Sequence, residues 1–540
     1  MSRRLQVQNV KRSVIKIHAV EREFNFEEPY KPGDDCAVCG SGFFVSQQVL
    51  FGKILFPGLR TVVTNSHVVE GAPTKTCRMS FPDCGKSTLE CTVAYICPEI
   101  DVAIVTVDGN AQSNWFETES VATFLDRIPD LPCVTSRIAG MAEEVVAVGY
   151  PLDSDDCVAT VGCISCRDES MFKLAMSIND GNSGGCVCYN GKVLGVATST
   201  AADAEGIAFC VPMLQIIQFF TNWLDGRPSG SLLQPPRFAV NPRVATYAFF
   251  EHANLPGTSG VIADYVPVDG ALHKAGLRDD DIVTCISTEV AGKVLEFAID
   301  NHGLINVPWS MSKIEFTNLD FVLFCHRYKT WVTYLSKSKN GKTYVPRKRK
   351  LPICTRRKRL DTRIPFWEPI PHILVGGIVF MNLCENHLQN MKKGRSPLDA
   401  RVLLHLIESH ADEEAVCISY VFPQSIVDDT DAVYKFAIIT HINDKTVKTV
   451  ADCNRELKRA VKQKFLRLHT EQYDNIILKV ENLRVQDCLF AQTIPGYPKE
   501  TLLTKESCKR APSPSKRKRT SAATVPGKRR SKRIKSLTVC

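Results

Sequence analysis

Short apolar segments alternate with turn residues over the first 225 positions of the chain. Each has either alternating apolar and polar residues or a brief apolar run, the two patterns typical of β-strands. The segments are SVIKIHAV, GSGFFVS, TVVTNSHVV, LECTVAYIC, DVAIVTV, EVVAVGYP, CVATVGCIS, KVLGVATS and GIAFCVP. Many short strands separated by Gly and Asn indicate an all-β barrel or sandwich. MLQIIQFFTNWL at 213–224 has helical apolar spacing, and we expect it to close this unit.

Weaker patterns predict two further units. In the second, SGVIADYVPVDGALHKAGLRDDDIVTCI predicts a strand, a turn at Pro267, a short helix ended by Gly276 and a returning strand. The third has strand-like AVCISYVF and FAIITHIND, a helix-like stretch at 450–463 and strand-like NIILKVEN. The predicted boundaries are 1–228 for the β-rich unit, 238–345 for the second unit, 346–364 for a basic connector, 365–498 for the third unit and 499–540 for a basic tail.

Composition agrees with a folded chain of several domains. The 540 residues, 44% hydrophobic and 23% charged, fit three or four domains of roughly 150 residues each. Residues 501–540 hold 13 Lys and Arg against one acidic residue, so they carry +12, and the rest of the chain carries −3 of the net +9. No apolar run approaches the ~18 residues of a spanning helix, and the N-terminus lacks the apolar region of a secretion signal. We therefore expect neither membrane insertion nor secretion.

The 22 cysteines are scattered, and without an export signal we interpret most of them as reduced, buried thiols. Two CxxC pairs, Cys36/Cys39 and Cys163/Cys166, suggest a zinc site, because four thiolates can close a tetrahedral shell. The second pair lies on a predicted strand, where its odd separation points the two side chains to opposite faces. We therefore expect no metal and no cofactor.

A serine set among glycines is the first candidate for chemistry. Ser183 in DGNSGG is either a nucleophile or a small residue in a tight turn, because Gly, Asn and Ser cluster in turns. His67 follows an apolar strand and Asp101 opens another, and each of these alone is typical of a structural residue. Together the three supply a nucleophile, a base and a carboxylate that orients the base. They follow the order His, Asp, Ser of the chymotrypsin class, separated by 34 and 82 residues.

The motifs around these residues resemble those of the HtrA (Do-like) serine proteases. They are TNSHVV, DVAIV and GNSGG, with GSGFFV, GYP and GIAFCVP elsewhere in the same unit. The resemblance implies a mainly β chain with a chymotrypsin-like double β-barrel, then two PDZ-like α/β domains and a disordered basic tail. It implies His67 as general base, Asp101 as its orienter and Ser183 as nucleophile. It also implies an oxyanion hole formed by the backbone N–H groups of Gly181 and Ser183.

The surroundings of the serine bear on specificity. Asp180 and Cys186 depart from the residues usual beside this motif, yet neither removes an atom of the triad. Trypsin-like enzymes that select basic side chains carry an acidic residue six positions before the nucleophile, where this chain has Ser177. We therefore predict cleavage after small to medium apolar residues. The predicted pocket is formed by Ser177, Ile178, Val196, Ala197 and Thr198.

The second unit resembles the core of a PDZ domain, which binds an extended peptide by strand addition and captures its terminal carboxylate. Asp280 stands where a Gly is usual, and RVATYAF at 243–249 shows no glycine for the carboxylate loop, so a scaffolding or regulatory role is equally open. PFWEPIPHILVGGIVFMNL and VFPQSIVDDTDAVYKFAIITHIND in the third unit resemble the divergent second PDZ of eukaryotic Do-like proteins.

The family resemblance also implies a homo-oligomer, a trimer or a multiple of one. Phe24, Phe26 and Tyr30 are candidates either for subunit contacts or for covering the barrel. Two basic clusters in the tail, KRKR at 516–519 and KRRSKR at 528–533, are of the kind that nuclear import receptors or nucleic acid recognise. A solvated tail without a partner is the alternative. The chain end SLTVC resembles a PDZ ligand, against the simpler alternative of an unbound end.

These patterns predict an ATP-independent serine endopeptidase that cleaves unfolded or exposed polypeptides through an acyl-enzyme. The expected partners are polypeptide substrates, copies of the same chain, and an import receptor or nucleic acid at the tail, without a membrane. The expected location is the nucleus. The alternative is a non-catalytic PDZ scaffold tethered near nucleic acid by its basic tail.

Overall fold

A computed structural model describes most of the chain. The described residues are 3–31, 33–72, 77–82, 84, 87–110, 120–135, 139–167, 171–200, 206–224, 226–307, 313–320, 323, 327–338, 340, 343–355, 361–393, 413–428, 433–472 and 476–503. The fold is mainly β, with two closed barrels followed by two mixed units. The predicted fold class is therefore confirmed. The tail clusters, the chain end SLTVC and residues 356–359 of the predicted connector lie outside the described residues.

The first barrel contains the N-terminal strands. They are β1 Val14–Arg22, β2 Asp35–Phe44, β3 Leu59–Thr64, β4 Cys77–Ser80, β5 Thr88–Cys97 and β6 Val102–Asp108. Antiparallel pairing follows the order β1-β2-β3-β6-β5-β4, and β4 pairs again with β1, so the sheet closes. Apolar side chains fill the interior, Ile15, Ile17, Val62 and Val105 among them. The short strand β13 (Ser231–Leu232) adds to β5 in parallel.

The second barrel repeats this strand order. Its strands are β7 Glu144–Gly149, β8 Val158–Arg167, β9 Phe172–Ala175, β10 Cys186–Tyr189, β11 Lys192–Thr200 and β12 Ile207–Pro212. Pairing runs β7-β8-β9-β12-β11-β10 and returns to β7. The alternation seen in the sequence corresponds to inward and outward positions, as in β9, where Phe172 and Leu174 are buried and their neighbours exposed.

A shared apolar core holds the two barrels together. It includes Phe43 from the first barrel, Val196 from the second, and Phe219 and Phe220 from the predicted closing helix. The helices of this unit are α1 Arg3–Lys11, α2 Gln47–Phe51, α3 Val121–Asp126 and α4 Met213–Trp223. Helix α4 thus packs on the core that the two barrels share.

The second unit combines a six-stranded sheet, a separate two-stranded sheet and short helices. Its elements are β14 Asn241–Val244, α5 Tyr247–His252, β15 Val261–Tyr265, α6 Ala271–Lys274, β16 Ile282–Val290, β17 Lys293–Ala298, β18 Leu304–Ile305, β19 Ile314–Glu315, β20 Lys329–Lys337 and β21 Tyr344–Lys350. The strand, helix and returning strand predicted around Pro267 are present as β15, α6 and β16. Strand β21 pairs with β20 at the sheet edge, so the basic residues 347–350 lie on a strand of this unit rather than in a connector.

The third unit contains a sheet in the order β22-β23-β24-β25-β27-β28. Its elements are β22 His372–Val375, β23 Ile378–Asn382, α7 Glu385–Lys393, β24 Val416–Val421, β25 Ile438–Ile442, β26 Lys445–Thr446, α8 Val450–Ala460, β27 Phe465–Thr470, β28 Ile476–Lys479 and α9 Val480–Thr493. Helix α8 begins in a capping box formed by Thr449 and Asp452. The predicted strand NIILKVEN is only half strand, because α9 begins at Val480. The described chain continues past 498, and Leu503 is buried in the core of this unit.

The third unit packs on the first through aromatic side chains. Phe26 is buried in a cluster made mainly of third-unit residues, with Phe24 and Tyr30 beside it. The Tyr30 ring stacks on Phe422 with centroids 5.6 Å apart. The three aromatic residues considered above as subunit contacts or as a barrel cover therefore contact another unit of the same chain.

The described residues contain neither a membrane-spanning helix nor a metal-binding cluster. Within them, no helix is both long enough and apolar enough to cross a membrane. The same residues hold no group of three or more His, Cys, Asp and Glu side chains arranged to bind a metal ion. Of the two CxxC pairs, Cys36 and Cys166 are exposed while Cys39 and Cys163 are half-buried.

Candidate active site

The three candidate catalytic residues lie at the ends of strands of the two barrels. His67 follows β3 and Asp101 precedes β6, two neighbouring strands of the first barrel. Ser183 lies on the turn that leads into β10 of the second barrel. Each barrel thus supplies one part of the site, and their packing determines how the parts meet.

A short, two-sided contact joins the candidate base to its carboxylate. His67 Nδ1 lies 2.9 Å from each carboxylate oxygen of Asp101, and the backbone N–H of His67 donates to Asp101 Oδ1 at 3.1 Å. With a carboxylate on this side of the ring, the proton of neutral imidazole resides on Nδ1. The opposite nitrogen, Nε2, is then free to accept a proton.

Asp101 is itself held from several directions. Its backbone is in the left-handed region, with φ +51° and ψ +50°, at the end of a short 3₁₀ turn. Aspartate tolerates this conformation better than most residues, and such strain is often found at functional sites. The side chain of Asn65 donates to the Asp101 carbonyl at 2.7 Å, and the hydroxyl of Thr198 donates to Asp101 Oδ2.

Ser41 connects the first barrel to the serine turn of the second. Its backbone N–H donates to the carbonyl of Ser183 at 2.8 Å, and its hydroxyl donates to the carbonyl of Gly181 at 2.6 Å. The same hydroxyl accepts the N–H of Tyr150 at 2.9 Å, and Thr64 Oγ1 donates to the Ser41 carbonyl. This buried serine therefore holds the turn that contains Gly181 and Ser183.

The turn presents two backbone donors to the cleft. Gly181 has φ +91°, a conformation open to glycine, and its N–H and that of Ser183 donate to no protein acceptor in the described part of the chain. The Asp180 carbonyl accepts the N–H of Leu152 at 2.7 Å. Because C=O and N–H of a trans peptide point in opposite directions, this bond turns the Gly181 N–H away from Leu152. The two predicted oxyanion donors are therefore not occupied by other described residues of the chain.

A strained turn positions the Leu152 N–H that donates to the Asp180 carbonyl. Leu152 and Asp153 both have positive φ, +52° and +57°. The buried Lys16 holds them, because its Nζ lies 2.7 Å from the Asp153 carboxylate and donates to the Asp153 carbonyl at 2.9 Å. The charge of Lys16 therefore contributes to the geometry of the serine turn without contacting it.

Electrostatics around His67 favour its protonated form. Burial lowers the pKa of His67, but the hydrogen bond and charge of Asp101, together with the charges of Glu70 and Glu21, outweigh burial and raise the pKa above 6.5. The ring is 44% exposed, so solvent and substrate can reach it. A stabilised imidazolium is what a general base needs once it has accepted a proton.

The candidate nucleophile, Ser183, is not hydrogen-bonded to the candidate base. Within the described residues no hydrogen bond joins the Ser183 hydroxyl to His67. Catalytic hydrogen bonds in a free enzyme are often loose and tighten only when substrate binds. The structure therefore joins His67 to Asp101 and leaves the contact between Ser183 and His67 unmade.

The predicted pocket residues have different surroundings. Ser177 is exposed and Ile178 is buried in the core of the second barrel. Val196 faces the core between the barrels and Ala197 faces the second-barrel core. Thr198 is buried and its hydroxyl is bonded to Asp101, so it orients the carboxylate. The pocket remains a prediction.

Sequence reasoning missed three contributors, Ser41, Asn65 and Leu152, and it assigned Thr198 to the pocket without its contact to Asp101. Of these, Ser41 lies in the GSGFFV motif and Asn65 in TNSHVV, so the motifs contained them without revealing their contacts. The roles of Leu152 and Thr198 depend on atoms close in space and distant in sequence.

The third unit contains a glycine turn whose donors are already occupied. Gly376 N–H donates to the buried carboxylate of Asp487 at 2.7 Å, and the same carboxylate accepts the hydroxyls of Tyr497 and Thr501 at 2.6 Å each. Strand β22 pairs along the outer edge of β23. In a PDZ domain such a turn and such an edge receive the peptide carboxylate and the peptide strand. Here both are filled by the chain itself.

Comparison with known proteins agrees with this architecture. The model of the trypsin-like peptidase domain matches residues 40–196, and that of the PDZ domain matches residues 367–489. The HhoB protein of Synechocystis sp. is 28% identical over 300 residues, 52% of this chain and 62% of its own length. The mitochondrial Do-like 3 protein of Arabidopsis thaliana is 23% identical over 538 residues, 94% of this chain and 83% of its own. The solved HtrA-type protease AlgW with decapeptide is 16% identical with a TM-score of 0.45, covering 66% of this chain and all of that one.

The two barrels and the PDZ match define the class: a trypsin-like peptidase fold with a PDZ domain further along the chain. The chain belongs to the HtrA (Do-like) family of serine proteases, as its motifs indicated. The aligned region is less than two thirds of HhoB.

Proposed function

We propose that this protein is a serine endopeptidase that cleaves polypeptides without ATP. His67, Asp101 and Ser183 act as its triad. The observation that carries the proposal is the His67–Asp101 pair, with Nδ1 2.9 Å from both carboxylate oxygens, facing a turn with two unoccupied N–H donors.

The reaction follows from this arrangement. Ser183 Oγ attacks the scissile carbonyl carbon while His67 Nε2 accepts the hydroxyl proton. The N–H groups of Gly181 and Ser183 donate to the oxyanion that develops. When the C–N bond breaks, His67 returns the proton to the leaving amine, and an acyl ester remains on Ser183. Water, deprotonated by His67, then hydrolyses that ester.

Specificity for small to medium apolar residues belongs to the same proposal. An acidic residue at position 177 would favour basic side chains, and this chain has a serine there. Three other residues of the predicted pocket, Ile178, Val196 and Ala197, are apolar and buried. Sequencing of the peptides released from an unfolded protein tests this point, and cleavage mainly after Lys or Arg would contradict it.

The accessory parts have separate proposed roles. In the second unit, β14 is an edge strand of the described sheet and is the proposed site of peptide strand addition. The basic clusters 516–519 and 528–533 are proposed to direct the chain to the nucleus, with an import receptor or nucleic acid as partner. A tail-deleted fusion that still accumulates in nuclei would refute this role. Assembly as a homo-oligomer is proposed from the family alone.

Labelling by a serine-reactive fluorophosphonate tests the central proposal. Wild type should be labelled on one serine, and Ser183→Ala should abolish the label. Ser165→Ala is the matched control, because it removes an exposed serine on β8 of the same barrel, outside the predicted site, and should label like wild type. Peptide mapping should place the adduct on residue 183.

The alternative function predicts a different result. A non-catalytic scaffold would show no label on the wild type, with or without peptides that occupy the PDZ-like units. A label that appears only when such peptides are added would identify a protease that needs activation.

A further inference from the structure

The third unit contacts the turn that carries the candidate base. The indole Nε1–H of Trp367 donates to the carbonyl of Glu70 at 2.9 Å, across 297 residues of sequence. Residues 66–70 form a helical turn directly around His67, in which the N–H groups of Val69 and Glu70 both donate to the carbonyl of Ser66. Carbonyls at the end of such a turn lack partners within it. Trp367 supplies the donor for one of them.

Trp367 is held firmly where it makes this contact. The Ile364 N–H donates to the Glu368 carboxylate at 2.7 Å, and Arg363 pairs with the same carboxylate at 3.1 Å. Asn386 on α7 bonds both the N–H and the carbonyl of Arg363. The indole is therefore fixed to the third unit rather than free to follow the turn.

The neighbouring contacts anchor the unit to the same barrel. Ile364 is buried in the core of the first barrel, with Val68 and Val69 from the His67 turn in the same cluster. On the other side, Lys435 pairs with Glu27 at 2.5 Å and Ser419 Oγ donates to the Glu27 carbonyl at 3.1 Å. Among the described residues the third unit thus contacts the first barrel beside the His67 turn and, separately, at Glu27.

We propose that Trp367 is a positioning residue that holds the His67 turn in its working conformation from the third unit. The proposal rests on the proposed function, because it concerns the same base. It assigns to the C-terminal unit a direct effect on catalysis that does not require a bound peptide.

The chemistry of the contact predicts a specific effect. His67 is held on one side by Asp101 and on the other by the turn that Trp367 fixes. If the indole donor is lost, the turn samples more conformations, and fewer of them align Nε2 with the serine. Because one hydrogen bond is involved, we expect kcat to fall by about three- to tenfold with KM nearly unchanged.

The test compares Trp367→Phe with Trp331→Phe. The first keeps an aromatic ring but removes the donor, and the second changes a half-buried tryptophan on β20 of the second unit. Kinetics use a short peptide substrate. Hydrogen exchange is followed in the Ser183→Ala background, where self-cleavage cannot interfere. We expect about tenfold faster exchange at residues 66–72 in Trp367→Phe alone, with exchange at residues 23–31 unchanged.

The outcomes separate the two proposals. A wild type without label or cleavage refutes the proposed function, whereas exchange at residues 66–72 still reports on the contact. If the wild type is active, and Trp367→Phe and Trp331→Phe have the same kcat and the same hydrogen exchange, the positioning role is overturned. A loss of kcat accompanied by faster exchange at residues 23–31 also overturns it, because the whole unit has then detached.

Discussion

Replacing Gly181 by alanine tests the geometry of the oxyanion hole directly. At this position φ is +91°, and an added Cβ would lie 2.3 Å from the Tyr150 carbonyl oxygen. Gly257→Ala is the matched control, because Gly257 also has positive φ, +75°, but an added Cβ meets nothing within 4 Å. Both substitutions incur the left-handed penalty of roughly 1–2 kcal/mol, so their difference reports the close approach at the site.

The magnitude follows from the distance. Relief of the contact requires the Gly181 peptide to move by about 0.7 Å or more, enough to take its N–H out of hydrogen-bond range of the oxyanion. Loss of one such donor costs roughly 3 kcal/mol of transition-state stabilisation, or about 10²- to 10³-fold in kcat. Gly257→Ala should change kcat by less than about twofold.

The assay measures the second-order rate of fluorophosphonate labelling, the kcat for a short peptide and the thermal midpoint of each variant. We expect both variants to remain folded and only Gly181→Ala to lose reactivity. A Gly181→Ala enzyme that reacts within about threefold of Gly257→Ala would refute the reasoning, because the N–H of residue 181 would then not be a catalytic donor.

Four further predictions concern the base, acid stability and the third unit. Asp101→Asn should lower kcat by about 10³- to 10⁴-fold without loss of fold, measured by kinetics and circular dichroism, because the imidazole loses its correct tautomer. Because the pKa of His67 is raised above 6.5, kcat/KM should rise with pH through an acid limb above that value, and Glu70→Gln should move the limb to lower pH by removing a charge that raises it. Burial lowers the pKa of His387 from 6.5 to about 4, so the unfolded chain binds a proton in this window that the folded chain does not. Stability should therefore fall by about 3 kcal/mol as pH falls from 6.5 to 4, and in His387→Gln the urea midpoint should lose this part of its pH dependence. Asp487→Ala leaves the N–H of Gly376 and two hydroxyls without their acceptor and should destabilise the third unit by about 3–5 kcal/mol in urea unfolding.

The β-rich first unit was predictable because its strands are short and their alternation is local. The closing helix at 213–224 and the strand, helix and strand around Pro267 are present as predicted. Predictions were weaker at element ends, as at Val480, where a helix begins inside an apolar run that reads as a strand. Position 480 is buried in either case, so the pattern of buried residues did not distinguish the two.

The basic residues 347–350 also show that local sequence does not always predict a strand. A run of charged residues has no alternation that would predict a strand, and β21 forms because its backbone pairs with β20. Its side chains remain exposed on both faces. Backbone pairing of this kind is decided by the neighbouring strand, which local sequence does not specify.

The amino-acid sequence alone identifies the residues that are candidates for chemistry. His67, Asp101 and Ser183 are recognisable from their turns and their order, because nucleophilic catalysis by serine requires those three groups. The contacts that hold them depend on how the folded parts pack together. Ser41 reaches the turn of Gly181 from 140 residues away, Thr198 reaches Asp101 from 97, and Trp367 reaches Glu70 from 297. Such contacts arise when separately folded parts pack together, so no local pattern of apolar and polar residues encodes them.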